Sequence, residues 1–230
     1  GFTTGPAVES LAPERPSALT LPKAIALGVI EGVTEYLPVS STGHLTVVGR
    51  LLGLGRTPAE KSALDAYTIC IQAGAIIAVL WISFGRIRQM LAGLVGRNRD
   101  GLRLLANLAI AAVPAGIIGL LLEDRIKSSL FGLWPVTAAW LVGGLFIVLL
   151  SRMKKEQAGA ALESLTWKQA LIIGLAQAIA LWPGVSRSLV TMAGAILLGL
   201  GVPAAVEFSF LLGFVAYGRW KLSPLKDRNG

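Results

Sequence analysis

The stretch that decides the fold is "LRLLANLAIAAVPAGIIGLLL" (residues 102–122), an apolar run with one charged residue near its start. A helix of about 20 apolar residues is long enough to cross the hydrocarbon core of a bilayer. Similar or weaker apolar runs occupy five other places in the chain: 67–84, 133–150, 169–182, 189–200 and 204–217. Because lipid-exposed backbone must satisfy its hydrogen bonds within each segment, the pattern predicts an all-α polytopic integral membrane protein.

The overall composition supports this assignment. The chain of 230 residues is 54% hydrophobic and 15% charged, whereas soluble domains carry about 25% charged residues. Its formal net charge of +8 would also suit a nucleic-acid binder, but the basic residues cluster between apolar runs, at 85–103 and 151–168. Because basic loops stay on the cytoplasmic side, these connections are predicted inside and 123–132 outside, with no nucleic-acid partner.

The remaining segments set the limits of the membrane domain. Residues 1–20 carry three prolines and little hydrophobic continuity, which predicts a disordered leader, and 218–230 is expected to be a polar tail. A single transmembrane domain is predicted for 21–217. The lone cysteine, Cys70, leaves no partner for an internal disulfide, and we expect it to be a small packing residue.

Two segments of the chain resemble each other. In "AIALGVIEGVTEYLPVSSTGHLTVVGRLLG" (24–53) and "ALIIGLAQAIALWPGVSRSLVTMAGAILLG" (170–199), glycines match near the start and at the end. Glu31 then matches Gln177, and a one-residue slip matches Pro38 with Pro183. A chance match between two helices rich in small residues is the alternative.

Paired hydrophobic segments interrupted by proline indicate a binding site where membrane repeats meet. Three strong apolar runs separate the two segments, and an odd number of crossings would place the segments in opposite orientations. The sequence therefore predicts inverted repeats, one at about 21–122 and one at about 133–217. Each repeat would contain one re-entrant helical hairpin that reaches the midplane.

The first interrupted segment carries most of the reactive groups. Glu31 and Glu35 are four residues apart, so they lie on one face of a helix, and ionised carboxylates inside a membrane require a compensating charge. Such a pair suits a hard divalent cation, Mg²⁺ or Ca²⁺, shared with phosphate oxygens. The alternative is that both lie at a water-exposed helix end. His44 follows three consecutive hydroxyl residues and is a candidate general acid or base, or a packed residue.

The second interrupted segment carries one charge in an apolar setting. Arg187 requires an anionic partner there, and its planar fork suits phosphate or carboxylate oxygens. Ser186, Ser188 and Thr191 place hydroxyl groups around it, and the break at Pro183 leaves a helix start with free N–H groups. The alternative for Arg187 is a buried salt bridge with a glutamate. The chain has no nucleotide-binding glycine loop and no histidine pair for zinc.

These two segments contain motifs of a known family. "EGVTEYLPVSSTGH" (31–44) and "PGVSRSLVT" (183–191) resemble the signature motifs of the bacterial undecaprenyl-diphosphate phosphatases of the bacitracin-resistance type. "IQAGAI" (71–76) and "EFSFLL" (207–212) resemble family segments in the expected order. After 213 the family continues with further membrane helices, so we expect about two spans fewer here.

The resemblance implies a bacterial inner-membrane enzyme that removes the terminal phosphate of undecaprenyl diphosphate and recycles this lipid carrier for cell-wall synthesis. It implies a divalent cation, metal binding or proton handling by Glu31 and Glu35, and catalysis by three further residues. Ser41 would be the nucleophile or a phosphate ligand, His44 the acid or base, and Arg187 the diphosphate clamp. The residues implied as supporting donors are Ser40, Thr42, Ser186, Ser188 and Thr191.

A different class of function uses the same groups. Broken helices at the midplane are also a transporter architecture, so a flippase for polyprenyl phosphate is the alternative, and it would need Arg187 but not Ser41 or His44 for chemistry. An inactive homologue is a third option. In each case the partners are a lipid and the bilayer, with a second copy of the chain as a candidate.

Overall fold

In the computed structural model, residues 19–129, 133–152 and 159–220 are described. They form nine α-helices, joined in two places by short 3-10 helices at Leu162–Ser164 and Ala178–Leu181. In chain order the α-helices are α1 Leu21–Tyr36, α2 Ser41–Leu51, α3 Pro58–Ile82, α4 Phe84–Leu94, α5 Arg99–Ser129, α6 Leu133–Arg152, α7 Trp167–Gln177, α8 Arg187–Leu197 and α9 Val202–Trp220. The predicted all-α class is confirmed. The predicted leader and most of the predicted tail lie outside the described residues.

Within the described residues, three helices are long and apolar enough to span a bilayer: Pro58–Ile82, Arg99–Leu122 and Trp134–Arg152. They correspond to the three strongest apolar runs, and large apolar side chains on them are exposed, as expected for helices that face lipid. The weaker runs form shorter apolar helices, Trp167–Leu181, Arg187–Leu197 and Val202–Val215. Together they make this a membrane protein.

Part of the basic connection predicted between two spans is itself helical. α4 occupies Phe84–Leu94 and packs against the start of α5. The two helices approach so closely that a Cβ atom on Gly101 would overlap the backbone carbonyl of Gln89. Arg86 on α4 binds Glu163 at 2.6 Å and Glu207 on α9 at 2.8 Å. Arg86, which lies in a connection predicted on the cytoplasmic side, thus joins α4 to the 3-10 helix at Leu162–Ser164 and to α9.

Both interrupted segments form a helix, a break and a second helix. We name α1 and α2 with their connection the first broken unit (21–51), and α7, α8 and their connection the second broken unit (167–197). The break is 37–40 in the first unit and 182–186 in the second. The second break is one residue longer, which accounts for the slip needed to match the two prolines. The inverted relation of the repeats and the re-entrant path of the hairpins remain predictions.

The glycines matched at the ends of the two segments have the same structural role. Gly53 has φ 71° after α2, and Gly199 has φ 101° after α8. An L-residue with a side chain rarely adopts this left-handed region, whereas glycine does so at little cost. Each glycine therefore ends its helix and turns the chain.

The interior is divided unequally between two hydrophobic clusters. The larger cluster joins α4, α5, α7, α8 and α9 around fully buried side chains such as Phe208, Ile173 and Leu108. The smaller contains three buried residues, Leu27, Leu45 and Leu54, between the first broken unit and the chain that follows it. Cys70 belongs to neither cluster and is exposed on α3, so its expected packing role is wrong.

Candidate active site

The two predicted motifs meet at Glu35, in the last turn of α1. The Ser41 hydroxyl donates to Glu35 Oε2 at 2.5 Å. On the other side, Arg187 Nη2 donates to Glu35 Oε1 at 3.2 Å. One carboxylate therefore joins a hydroxyl from the first broken unit to a guanidinium from the second. The ion pair that the sequence left as an alternative for Arg187 exists, and it lies inside the predicted site.

Glu31 lies one turn before Glu35 on the same face of α1. Its side chain is 0% exposed, which excludes a water-exposed helix end. Among the residues the structure describes, neither of its carboxylate oxygens has a hydrogen-bond partner. A buried carboxylate without partners is costly unless it is protonated or meets a cation. Glu31 is therefore placed to hold a cation or a proton.

A cavity opens beside these charged groups between four helices. Glu31, Glu35 and Arg187 supply its charged lining. The other lining residues come mainly from α3 and α9 and are mostly apolar: Tyr36, Gln72, Ala75, Ile76, Val79, Phe210, Gly213 and Phe214. A ligand with a charged end and an apolar body would match both parts of this lining.

Tyr36 fixes the end of α1 against the apolar walls. Its hydroxyl donates to the carbonyl oxygen of Ala75 on α3 at 2.9 Å. Its ring packs edge-on against Phe210 on α9, with the centroids 5.2 Å apart. These contacts tie the turn that carries Glu35 to two other helices.

The connection into α2 is strained at Ser40. This residue has φ 66° and ψ 94°, and it is the one non-glycine residue with positive φ in the part of the chain that the structure describes. Left-handed backbone costs an L-residue roughly 1–2 kcal/mol, and such strain tends to gather at functional sites. Here it directs the chain so that Ser41, the first residue of α2, faces Glu35.

His44 lies one turn into α2 and points back along that helix. Its Nδ1 lies 2.9 Å from the carbonyl oxygen of Ser40. A carbonyl oxygen only accepts, so Nδ1 carries the hydrogen, and Nε2 is the nitrogen that can take up a further proton. The described contacts give the ring no hydrogen bond with Ser41. The structure thus pairs the Ser41 hydroxyl with Glu35 and leaves His44 beside the pair.

Trp140 on α6 covers the start of α2. Its ring centroid lies 5.0 Å from that of His44. A Cβ atom on Gly43 would overlap the Trp140 indole, so only glycine fits at this position without a shift. No local feature of the sequence points to Trp140, because nothing near it in the chain links α6 to the motif that ends in His44.

The hydroxyl groups of the second broken unit hold the backbone around Arg187. Ser186 caps α8 by accepting from the Leu189 N–H at 3.2 Å, and its hydroxyl lies 3.0 Å from that of Ser188. Thr191 and Ser209 join α8 to α9 through a 2.6 Å hydrogen bond. Direct binding of substrate by Ser40, Ser186, Ser188 and Thr191 remains a prediction.

Thr42 differs from the other predicted donors. Its side chain is exposed, whereas Ser40 and Ser41, the two residues before it, are buried. The described hydrogen bonds of Thr42 involve its backbone, whose carbonyl oxygen accepts from the Thr46 hydroxyl at 2.8 Å. The structure does not bring the Thr42 side chain to the cluster around Glu35.

Sequence reasoning also missed the glycine that makes room for the guanidinium. A Cβ atom on Gly213 of α9 would overlap the guanidinium of Arg187. Gln72 and Phe210, which line the cavity, belong to "IQAGAI" and "EFSFLL". Those segments resemble segments of the family named above, and that resemblance is the sequence signal that they contribute to the site.

Comparison with known proteins gives a consistent result. The sequence model of the family described as "Bacitracin resistance protein BacA" matches residues 24–223. The chain is 44% identical over 198 residues to a protein of Sorangium cellulosum named undecaprenyl-diphosphatase, covering 85% of this chain and 63% of that protein. It is 39% identical over 214 residues to a protein of the same name from Clostridium novyi, covering 90% and 75%.

A third relative has a similar name and a similar degree of identity. An undecaprenyl-diphosphatase 2 from Rhodospirillum rubrum is 43% identical over 190 residues, covering 83% of this chain and 68% of that protein. The chain therefore spans between 63% and 75% of the length of these three relatives. Each match takes in most of the chain described above.

Proposed function

Because the chain belongs to the BacA family of bacitracin resistance proteins, we propose that it hydrolyses undecaprenyl diphosphate to undecaprenyl phosphate and inorganic phosphate. The reaction would recycle the lipid carrier used in cell-wall synthesis. The enzyme would be a multi-pass protein of the bacterial inner membrane, acting on a lipid partner in the bilayer. A homodimer is part of the same proposal.

The observation that supports hydrolysis most directly is the arrangement of Ser41, Glu35 and Arg187. A carboxylate that accepts from a hydroxyl can take its proton as the oxygen attacks, which makes Glu35 the general base for Ser41. Arg187 lies on the other oxygen of the same carboxylate, where its fork can bind phosphate oxygens. A transporter would need the Arg187 guanidinium to bind its cargo, but it would not need the hydrogen-bonded pair of the Ser41 hydroxyl and the Glu35 carboxylate.

The proposed reaction proceeds in two displacements. Ser41 Oγ attacks the terminal phosphorus while its proton passes to Glu35, and the bond to the bridging oxygen breaks, releasing undecaprenyl phosphate. Water then attacks the phosphorus of the phosphoserine, the bond from phosphorus to Oγ breaks, and inorganic phosphate leaves. Oγ takes back the proton held by Glu35, which regenerates the Ser41 hydroxyl and the Glu35 carboxylate. His44 acts through Nε2 as the acid or base that accompanies these steps. Arg187 offsets charge that builds on the phosphate oxygens.

The apolar walls of the cavity fit a lipid diphosphate. The diphosphate would meet the charged lining formed by Glu31, Glu35 and Arg187, while the prenyl chain would lie against the side chains from α3 and α9. A soluble diphosphate would make only the first set of contacts. The cavity therefore favours a substrate that enters from the bilayer.

Glu31 and Glu35 are the residues that would hold a divalent cation, Mg²⁺ or Ca²⁺. The two buried oxygens of Glu31 have no partner among the described residues, and carboxylate oxygens are the ligands that these cations prefer. No third histidine, cysteine or acidic residue joins them within the described residues, which leaves coordination positions for phosphate oxygens and water. A cation held there would neutralise charge on the substrate's phosphate oxygens.

The test is release of inorganic phosphate from undecaprenyl diphosphate by the detergent-solubilised protein, with Mg²⁺ or Ca²⁺ present. We expect the wild type to release phosphate and Arg187→Ala and His44→Ala to release far less. Substrate labelled in the terminal phosphate should leave label on the wild type but not on Ser41→Ala. Wild-type protein that releases no phosphate contradicts the enzyme assignment, and release without any labelled protein indicates direct attack by water.

The names of the relatives also favour hydrolysis over the flippase alternative. A flippase would move labelled polyprenyl phosphate across vesicles and would not require the Ser41 hydroxyl. We therefore expect Ser41→Ala to abolish phosphate release in the assay above. Transport of polyprenyl phosphate by a wild type that hydrolyses nothing would reverse the preference.

A further inference from the structure

A second cleft lies between α5 and α7, apart from the candidate active site. It has a volume of about 480 Å³ and shares no lining residue with the cavity around Glu35. Its lining combines two cations, an indole, two polar side chains and two apolar side chains: Arg103, Lys168, Trp167, Asn107, Thr166, Ala106 and Ile110. Such a mixture suits an anion attached to an apolar body.

The two cations come from different helices, and neither has an anionic partner among residues 19–129, 133–152 and 159–220. Arg103 lies on the first turns of α5, and Lys168 is the second residue of α7. Neither takes part in an ion pair within the described residues, although Asp100 lies one turn before Arg103 on α5. Two positive charges therefore face one cleft, and no ion pair within the described part of the chain neutralises either of them.

The floor of the cleft is held in place by buried contacts. Asn107 is 4% exposed and donates from Nδ2 to the carbonyl oxygen of Leu165 at 2.8 Å. This bond fixes α5 against the residues that lead into α7. Thr166 and Gln169 form a reciprocal capping box at the start of α7. The Thr166 hydroxyl is thus occupied by the cap, and Arg103 and Lys168 are the charged groups of the cleft lining.

The position of the cleft matches the boundary of a membrane. Arg103 lies near the polar end of the span Arg99–Leu122, and Trp167 begins the apolar helix Trp167–Leu181. The Trp167 ring is 56% exposed, and the Lys168 ammonium lies 5.7 Å from the ring centroid. Tryptophan is enriched at the level of lipid headgroups, where it has one apolar and one wet side.

We propose that this cleft binds the phosphate group of an anionic glycerophospholipid. The phosphate lies between Arg103 and Lys168, and an acyl chain follows Ala106 and Ile110 into the bilayer. Basic pockets between membrane helices take anionic headgroups in this way. Free phosphate would meet the same cations but would leave the apolar wall uncovered. The site would hold a bound lipid that keeps α5 and α7 together.

The experiment uses the full chain in detergent and measures binding of phosphatidylglycerol by native mass spectrometry. The test variant is Arg103→Gln with Lys168→Gln. Its control is Arg88→Gln with Arg97→Gln, which removes the same charge from exposed residues outside the cleft. We expect the test variant to bind phosphatidylglycerol about thirtyfold more weakly than wild type. The control should stay within about threefold.

Two further arms identify the ligand. Phosphatidylcholine, whose headgroup has no net charge, should bind the wild type at least about tenfold more weakly than phosphatidylglycerol. Inorganic phosphate at millimolar concentration should leave bound phosphatidylglycerol in place. Equal losses in the two double variants, equal binding of the two lipids, or displacement by inorganic phosphate would each overturn the proposal. Thermal unfolding of each variant checks that the fold is retained.

Discussion

The two broken units have the same outline but differ in how completely their polar groups are satisfied. In the first unit, neither α1 nor α2 has a side-chain cap. In the second unit, Thr166 caps α7 in a capping box and Ser186 caps α8. Each break contains one residue with positive φ: the second unit uses Gly184 there, whereas the first uses Ser40. The first unit therefore holds its backbone strain on a residue that has a side chain.

The two units also differ in hydrophobic packing, and the second unit is again the better supported one. The second unit contributes to the large hydrophobic cluster around Phe208, while the first rests on the small cluster of Leu27, Leu45 and Leu54. Both units bury a polar side chain with an unpartnered oxygen at the matched position, Glu31 in one and Gln177 in the other. These differences indicate that the two broken units have different roles. The first holds the reacting groups, and the second positions Arg187.

The largest effect is expected from the carboxylate that joins the units. Glu35→Gln keeps the size of the side chain but removes the proposed base for Ser41 and the charge facing Arg187. We expect phosphate release to fall by about 10²- to 10⁴-fold, the usual range for a lost general base. The control is Asp65→Asn, an exposed acidic residue on α3. Wild-type rates in Glu35→Gln would remove Glu35 from the mechanism and return the role of base to His44.

A second test disturbs Arg187 without changing it. In Gly213→Ala, the added methyl group would occupy space taken by the Arg187 guanidinium. Small displacements of positioning groups cost up to about 100-fold in rate, so we expect phosphate release to fall by tenfold or more. Gly144→Ala on α6 adds a methyl group where no atom lies within 4 Å. If both variants keep full activity, the contact between α9 and the guanidinium does not position it.

The next test addresses packing over the first unit. Gly43→Ala forces a methyl group into the Trp140 indole, and overpacking typically costs about 1–3 kcal/mol of unfolding free energy. We expect a lower midpoint of thermal unfolding in detergent, partly restored by adding Trp140→Leu. Gly32→Ala, on α1 with open space around it, is the matched control. Equal midpoints for the two glycine variants would argue against close packing of α6 on α2.

Opposite changes in stability are expected at the two breaks. Ser40→Gly relieves a positive φ and should raise the unfolding free energy by about 1 kcal/mol. Ser186→Ala removes the cap of α8 and should lower it by roughly 0.5–2 kcal/mol. Unfolding curves of both variants and the wild type measure the two signs. A fall in both would mean that the first unit is not strained at Ser40.

The smallest effect concerns the ion pair between α4 and Glu163. The Arg86 guanidinium donates to Glu163 and lowers the pKa of that carboxyl below its ordinary value of 4.5. A lowered folded pKa gives a contribution to stability that is present above the unfolded pKa and lost as the pH falls through the folded one. Glu163→Gln should therefore be less stable than wild type at pH 7 and should match it at strongly acid pH.

The measurement is thermal unfolding of wild type and Glu163→Gln across a pH series, with Glu60→Gln as the control for loss of an acidic residue. Because the Glu163 side chain is 45% exposed, the difference at pH 7 is expected to be small. A gap between wild type and Glu163→Gln that persists unchanged at acid pH would show that charge is not its cause.

Much of the fold could be predicted because the signals are local. A continuous apolar run identifies a span, and a proline followed by hydroxyl residues identifies a break, without knowledge of what lies nearby. The meeting of Glu35 and Arg187 was also predictable, because each is a charge in an apolar setting and needs an opposite one. In the structure, the Arg187 Nη2 lies 3.2 Å from Glu35 Oε1.

Two kinds of feature could not be predicted: the orientation of individual side chains, and contacts between residues that are far apart in the chain. Spacing along the chain favoured His44 as the partner of Ser41, since the two are three positions apart on one helix. In the structure the imidazole turns back to the Ser40 carbonyl, and the break brings Glu35 to the hydroxyl instead. Trp140 and Gly213 approach the site from other helices. Arg86 was assigned to a connection because its partners are 77 and 121 residues away.

The ion pair between Glu35 and Arg187 also has a consequence for biosynthesis. The two residues are 152 positions apart, so the ribosome makes the carboxylate on the order of ten seconds before it makes the guanidinium. During that interval α1 carries Glu31 and Glu35 without Arg187. A charge without a counter-charge is unfavourable in hydrocarbon. We therefore expect α1 to stay at the membrane surface until α8 has been synthesised, and only then to enter the hydrocarbon core fully. Synthesis of α8 would then complete the insertion of the first helix.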